Sequence, residues 1–219
     1  MMSRLVDTTE VLAALLALTL VVAMVVGPSF AKAKSPVVVM ETSKGAITIE
    51  LYPDKAPKTV ENFLWYVDNE FYNGLIFHRV MDNFMIQGGG FTKDLVQKQP
   101  NPAIENEAHN ALTNARGTIA MARTPDVNSA TCQFFINLKD NDFLNHKDKT
   151  PRNYGYAVFG KVIDGMDVVD EIAKVKVVSK SGYENVPATP VVISKVYQSK
   201  KEHAKEADKS SKEKPKKEE

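Results

Sequence analysis

Disulfide chemistry is closed to this chain, because Cys132 is its only cysteine. One thiol forms no intramolecular bridge and supplies no cysteine-based zinc site. Histidine is scarce too. His78, His109, His146 and His203 are the only four, and no two stand at the i, i+4 spacing of a helical metal pair. The sequence contains no G-x-S-x-G elbow, and Cys132 lacks an activating motif, so it reads as a small buried apolar residue rather than a nucleophile. Charge of one sign is missing as well. Lys and Arg number 28 against 27 Asp and Glu, a net +1, which gives no electrostatic reason to expect nucleic acid or an anionic membrane as partner. No repeat of fixed period is visible. Gly88-Gly89-Gly90 lacks the G-K-[ST] ending of a phosphate loop, so a turn or a close backbone approach explains it better.

Long apolar runs are almost absent. The exception is Val11–Val26, which is uncharged but shorter than the ~20 residues of a membrane span. Ala31-Lys32-Ala33 follows as a small-x-small cleavage signal, so residues 1–33 read as a secretory signal peptide cut after Ala33. Asp7 and Glu10 outweigh Arg4 in the leader, which leaves an uncleaved membrane anchor as the alternative. Residues 199–219 mix both charge signs with almost no apolar side chains, the composition of a disordered, solvated tail. Their interleaved glutamates argue against strong anion binding by the lysines. The folded unit is expected over residues 34–198.

Within it, Val37–Thr42 and Ala46–Leu51 read as strands joined at Ser43-Lys44-Gly45. Pro57 suits the first turn of a helix whose Val60, Phe63, Leu64 and Val67 share one face. Further strands are expected at Leu75–Met81, Met85–Gly88, Gly117–Met121, Gln133–Leu138, Ala157–Val162 and Val191–Gln198. A second helix is expected over Met166–Lys174, with Val168, Val169 and Ile172 inward. This is a mainly β pattern without βαβ alternation, and about eight antiparallel strands bury their edges best as a closed barrel. The irregular stretch from Phe91 to Asn114 is long for a loop inside a compact domain.

What chemistry remains lies in alternations. Residues two apart on a strand share a face, so Met85 goes with Gln87 and Gln133 with Phe135, while Phe134 and Ile136 point the other way. Arg79 sits in an otherwise apolar strand. Taken singly, Phe84, Met85, Phe135, Phe143 and Leu144 are core types, Arg79 is a salt-bridge partner, and His78 is a hydrogen-bonded structural histidine.

Taken together they resemble a known family. FHRVMDNFMIQGG from Phe77, MART at Met121–Thr124, QFFI at Gln133–Ile136, FL at Phe143-Leu144 and VFGKV at Val158–Val162 occur in the order seen in cyclophilins. KAPKTVENF on the first helix matches too. The resemblance covers nearly all of residues 34–198 and is greatest to the secreted bacterial branch. It implies a closed antiparallel eight-stranded β-barrel capped by two α-helices, and peptidyl-prolyl cis-trans isomerase activity. By the same resemblance Arg79 is the catalytic arginine, and Gln87 orients it and the substrate. Phe84, Met85, Phe135 and Leu144 wall a proline pocket, and Ala122 and Gln133 line the peptide groove. Arg123 stands where many eukaryotic members have asparagine, whose backbone holds the peptide. Phe143 replaces a tryptophan and Tyr156 a histidine of the best-known members, and loss of the indole N–H implies weak cyclosporin binding. Neither a metal nor a cofactor is implied. The expected partners are proline-containing unfolded or exported polypeptides, the expected state is a monomer, and the expected location is the periplasm, without stable membrane association after cleavage. A holdase that grips such chains without catalysis is the competing reading.

Overall fold

The computed structural model describes residues 35–199, and the expected signal segment and all of the expected charged tail except Ser199 lie outside them. At its start, two runs with apolar residues at every second position form the hairpin β1 (Val37–Thr42) and β2 (Gly45–Leu51). Val38 and Met40 of β1, and Ile47, Ile49 and Leu51 of β2, are wholly buried. Helix α1 (Pro57–Asp68) begins with a proline in its first turn, and Ala56 offers it no side-chain cap. The free amides are met from afar. Glu107 accepts the backbone N–H of Lys58 at 3.1 Å and that of Thr59 at 2.8 Å, and also the Thr59 hydroxyl at 2.7 Å. A carboxylate there also complements the positive end of the helix dipole, and it fastens the long loop after β4 to α1.

The remaining elements are β3 (Leu75–Met81), β4 (Met85–Thr92), β5 (Thr118–Met121), β6 (Phe134–Asn137), β7 (Val158–Asp164), α2 (Met166–Ala173), β8 (Val177–Lys180), β9 (Tyr183–Pro187) and β10 (Val191–Gln198). Eight strands close into a barrel in the order β1-β10-β3-β4-β6-β5-β7-β2, and every adjoining pair is antiparallel. The expected barrel and both helices are therefore present. The β8–β9 hairpin is an addition, unexpected because all four β8 residues are exposed and show no burial alternation.

Val60, Phe63 and Val67 of α1 and Val169 and Ile172 of α2 join one core with the inward strand residues, while Leu64 and Val168 pack at its edge. Aromatic rings fill much of it. Phe63 lies 5.1 Å from Phe159 and 5.3 Å from Tyr72, centroid to centroid, and Tyr72 lies 5.5 Å from Phe134. The wholly buried Tyr72 donates its hydroxyl to the Cys132 carbonyl at 2.9 Å, as a buried phenol requires.

Pairing between β3 and β4 is broken twice. Ile76 faces Phe91, Phe77 faces Gly88, and Arg79 faces Gln87. His78 is thus an extra residue on β3, while Gly89 and Gly90 are extra on β4. A bulge of one residue inverts which side chains face inward. Phe77 and Val80, three apart, both enter the barrel core. Unbroken alternation would place Arg79 inside with Phe77, and the bulge turns it to the outer wall instead. The glycine run is a strand, not a turn. Gly89 adopts φ +84°, and a Cβ there would lie 2.8 Å from Cε1 of Phe134 and 3.0 Å from the Cys132 carbonyl. One at Gly90 would lie 2.6 Å from Cγ of Gln133. Close packing against the segment before β6 therefore excludes side chains at both positions.

His78 packs against Phe91 with ring centroids 4.6 Å apart and planes tilted by 54°, and Phe91 in turn meets Tyr183 of β9. His78 Nδ1 has no hydrogen-bond partner among the described residues, where a hydrogen-bonded structural histidine was expected. Burial, with the positive charge of Arg79 adding to it, pulls the imidazole from 6.5 down to about 4. The unfolded chain then binds more protons than the folded one between those values, so stability is complete above pH 6.5 and falls as pH drops toward 4. Denaturant titrations at pH 7 and pH 4.5 should show this. The protein is expected to lose on the order of 2 kcal/mol more than His78→Leu between the two conditions. Equal losses would remove His78 as the cause.

Candidate active site

Five strands lay one row of residues across the outer barrel wall. Arg79 on β3 pairs with Gln87 on β4, Gln87 with Phe135 on β6, Phe135 with Ala120 on β5, and Ala120 with Val158 on β7. Strand alternation puts Ile86, Phe134 and Ile136 inside the barrel and leaves Met85, Ala120, Phe135 and Val158 outside it. These outward residues form a second apolar cluster with Leu144, and Met81, Phe84, Leu112, Ala122 and Tyr156 pack against it.

That cluster floors a cavity of about 100 Å³. Arg79, Phe84, Met85, Gln87, Ala122, Arg123, Phe135, Leu144 and Tyr156 line it, so nine of the residues expected at the site come together. The space is well below the ~300–1,000 Å³ of a drug-sized ligand pocket and suits a small ring. Phe135 meets Tyr156 edge to face, with centroids 5.7 Å apart. Arg79 Nη1 approaches Gln87 Oε1 at 3.5 Å, a long contact, and Gln87 Nε2 donates to Gln133 Oε1 at 3.0 Å. The glutamine amide is thereby oriented with its oxygen toward the guanidinium.

Two further residues of the expected groove lie beside this cavity. Gln133 does not line the cavity but sits behind Gln87 and holds it. Phe143 does not line it either. It is 63% exposed and stacks on Phe84 at 5.6 Å, backing that wall from outside. Cys132 is buried, and burial pushes its thiol up, away from nucleophile behaviour. Among the described residues no group of three or more His, Cys, Asp or Glu side chains is placed to hold a metal ion.

Sequence reasoning missed the polar frame behind the walls. Asn114, Asn137 and Asn141 are buried and joined side chain to side chain. Asn141 Nδ2 donates to Asn137 Oδ1 at 2.8 Å, and Asn137 Nδ2 donates to Asn114 Oδ1 at 3.2 Å. The ends of this relay grip the cavity walls through their backbone. Asn141 Nδ2 donates to the Phe84 carbonyl at 3.0 Å, and Asn114 Nδ2 donates to the carbonyls of Leu144 at 3.2 Å and Tyr156 at 3.4 Å. Asn110 Nδ2 reaches the Val158 carbonyl at 2.9 Å and Asn106 Nδ2 that of Gly155 at 3.1 Å. The long loop is therefore scaffolding for the site. One signal was available: asparagines recur every fourth residue at 106, 110 and 114, and again at 137, 141 and 145.

Known proteins share this chain's sequence and fold. Residues 37–198 match the family model for cyclophilin type peptidyl-prolyl cis-trans isomerase/CLD. The chain is 59% identical over 154 residues to peptidyl-prolyl cis-trans isomerase cyp18 of Streptomyces antibioticus, which covers 70% of this chain and 93% of that protein. It is 53% identical over 166 residues to peptidyl-prolyl cis-trans isomerase A of Dickeya dadantii, covering 76% of this chain and 86% of that one. The crystal structure of a Cryptosporidium parvum cyclophilin type peptidyl-prolyl cis-trans isomerase superposes with a TM-score of 0.63 at 24% identity, over 77% of this chain and 99% of the other, a likeness of fold. With a matching barrel, a matching family model and relatives above half identity over most of their length, the chain belongs to the cyclophilin-type peptidyl-prolyl cis-trans isomerases.

Proposed function

We propose that this isomerase turns X–Pro bonds in folding or exported polypeptides by aiming the Arg79 guanidinium at the prolyl nitrogen while the ring rests on Phe135, Met85 and Leu144. The observation that carries this reading is the placement of Arg79 and Gln87 in one cross-strand row with Phe135, on the outer wall. Resonance in the planar amide sets a barrier of ~18–20 kcal/mol and leaves the nitrogen a poor acceptor. Twisting the bond localises the nitrogen lone pair, which then accepts a hydrogen bond. A donor fixed at that position stabilises the transition state more than the ground state, which is the condition for acceleration. Guanidinium suits this because its donors are held in a rigid, charged fork. Gln87, itself held by Gln133, steadies that fork. The apolar walls anchor the ring while the preceding carbonyl swings, and they keep water from the donor. No bond to carbon is made or broken, so the step needs no nucleophile.

The same reading places the work outside the cytoplasm. The uncharged run Val11–Val26 and the Ala31-Lys32-Ala33 signal support export to the periplasm and cleavage after Ala33. Both lie outside the described residues.

Three measurements test these statements. Arg79→Ala is expected to lower kcat/KM by ~10²–10³ on a short Ala-Pro peptide, followed by NMR exchange, with an unchanged melting temperature. A folded variant of unaltered rate would remove the arginine from the mechanism, and sharp, unexchanging cis and trans peaks with the intact protein would favour a non-catalytic holdase. Asn114→Ala should cost about 1–3 kcal/mol of stability by stranding buried polar groups. It should also raise KM more than it lowers kcat, because it loosens Leu144 and Tyr156 without touching Arg79. A fall in kcat alone would contradict that division. Mass spectrometry of the exported protein should find an N-terminus at Lys34. An intact leader in the membrane fraction would establish the anchor instead.

A further inference from the structure

The cavity is lined by two guanidinium groups and no carboxylate. Neither Arg79 nor Arg123 takes part in an ion pair among the described residues, where Lys58 pairs with Glu105 and Arg116 with Asp170. Arg123 is instead pinned by neutral acceptors. Its Nε donates to the Gly155 carbonyl at 3.0 Å, its Nη1 to the carbonyls of Thr124 at 2.9 Å and Pro125 at 3.3 Å, and its Nη2 to that of Pro151 at 3.1 Å. The guanidinium lies 4.8 Å over the ring of Tyr156, another wall residue. Carbonyls and a ring face satisfy the donors but cancel no charge. Acidic residues of the adjoining loops keep their charge but bond within their own turns, and none forms an ion pair with Arg123 among the described residues. Asp126 accepts from the Asn128 backbone at 3.0 Å, and Asp148 from Thr150 and Asn153. A fixed, half-buried cation therefore stands at the rim of the prolyl cavity, and it is screened less than a mobile surface lysine would be.

We propose that this cavity favours prolyl segments with a carboxylate within about two residues of the proline over segments with a lysine there, and that Arg123 sets the preference. The proposal rests on the isomerase reading of the same cavity. A unit charge several ångströms from the rim, at the dielectric of a half-exposed site, gives a Glu-to-Lys ratio in kcat/KM on the order of tenfold. Arg79 contributes part of that ratio, because its charge lines the same cavity.

Peptides Ala-X-Pro-Phe with X as Glu, Gln or Lys, and a second set with X one place earlier, supply the test. Rates should run Glu, Gln, Lys in descending order at low ionic strength. The spread should close near 1 M salt, where the Debye length is ~3 Å. Arg123→Gln should shrink the low-salt spread about threefold or more, whereas Arg123→Lys, which keeps the charge but not the planar fork, should retain most of it. Equal rates for the three residues at low salt would overturn the proposal. So would a spread unchanged in Arg123→Gln, or one lost equally in both variants, since a loop staple without electrostatic function would behave that way. If the intact protein accelerates none of the peptides, the isomerase reading itself fails, and that result is distinct from equal acceleration of all of them.

Discussion

A single extra residue in β3 decides what this barrel can do. A closed sheet has an inside that must be apolar and an outside that is free to be anything. Along β3 the regular period would assign Leu75, Phe77 and Arg79 to the same face, and an unpaired guanidinium inside the barrel would carry a desolvation cost of several kcal/mol. Inserting His78 between Phe77 and Arg79 moves the charge to the outer wall and lets Val80 replace it in the core. The compensating irregularity in β4 falls on glycines, because the strand there lies against Phe134 and Gln133 with no room for a Cβ. Core and site are thus two faces of the same strands, kept apart by bulges.

The outer face needs more than orientation, because a shallow wall of apolar side chains has no inherent reason to keep its shape. Here the shape is imposed from behind by amide groups. Asn114, Asn137 and Asn141 bridge the β5 and β6 region to the backbones of Phe84, Leu144 and Tyr156, three wall residues that come from loops and not from the sheet. Buried amides of this kind are costly when unpaired and directional when paired, so they specify one arrangement of the loops where apolar packing would accept several. The side-chain Oδ1 of Asn141 is the one side-chain atom of the relay without a hydrogen-bond partner among the described residues. Glu107 anchors the other end of the same loop on α1.

Much of this could be read from the chain, and the gaps have physical causes. Period-two runs and turn residues located all eight barrel strands, and the alternation of Gln133 to Ile136 separated the site-facing ring of Phe135 from the core rings. Arg79 was conspicuous as a lone charge in an apolar strand, but its outward direction could not be read from strand alternation, since a bulge leaves no compositional mark; the resemblance alone implied an outer face. The β4 strand was cut short at Gly88 because glycine is a poor strand former in isolation. The β8–β9 hairpin escaped because β8 faces water on both sides. Gln133 was expected in the peptide groove and Phe143 at a substrate-binding position; beside the cavity, the first accepts from Gln87 and the second backs Phe84. His78 was expected to be bonded, yet packing against Phe91 leaves its Nδ1 unpaired.

Placing the reactive surface on the outside of a barrel has a further consequence. None of the residues that line the cavity belongs to the interior core, so core and cavity use different side chains of the same barrel. Arg79, Gln87 and Phe135 sit on adjoining strands, where the paired backbone fixes their spacing. Arg123, Leu144 and Tyr156 sit on loops, where sequence is freer to vary without disturbing the barrel. On the proposed mechanism the donor is Arg79 for every substrate, and Arg79 is on the sheet. What flanks the proline differs from one polypeptide to the next, and Arg123, proposed above to read it, is on the rim. The division between strand and loop therefore follows the division between a reaction that is always the same and substrates that are not.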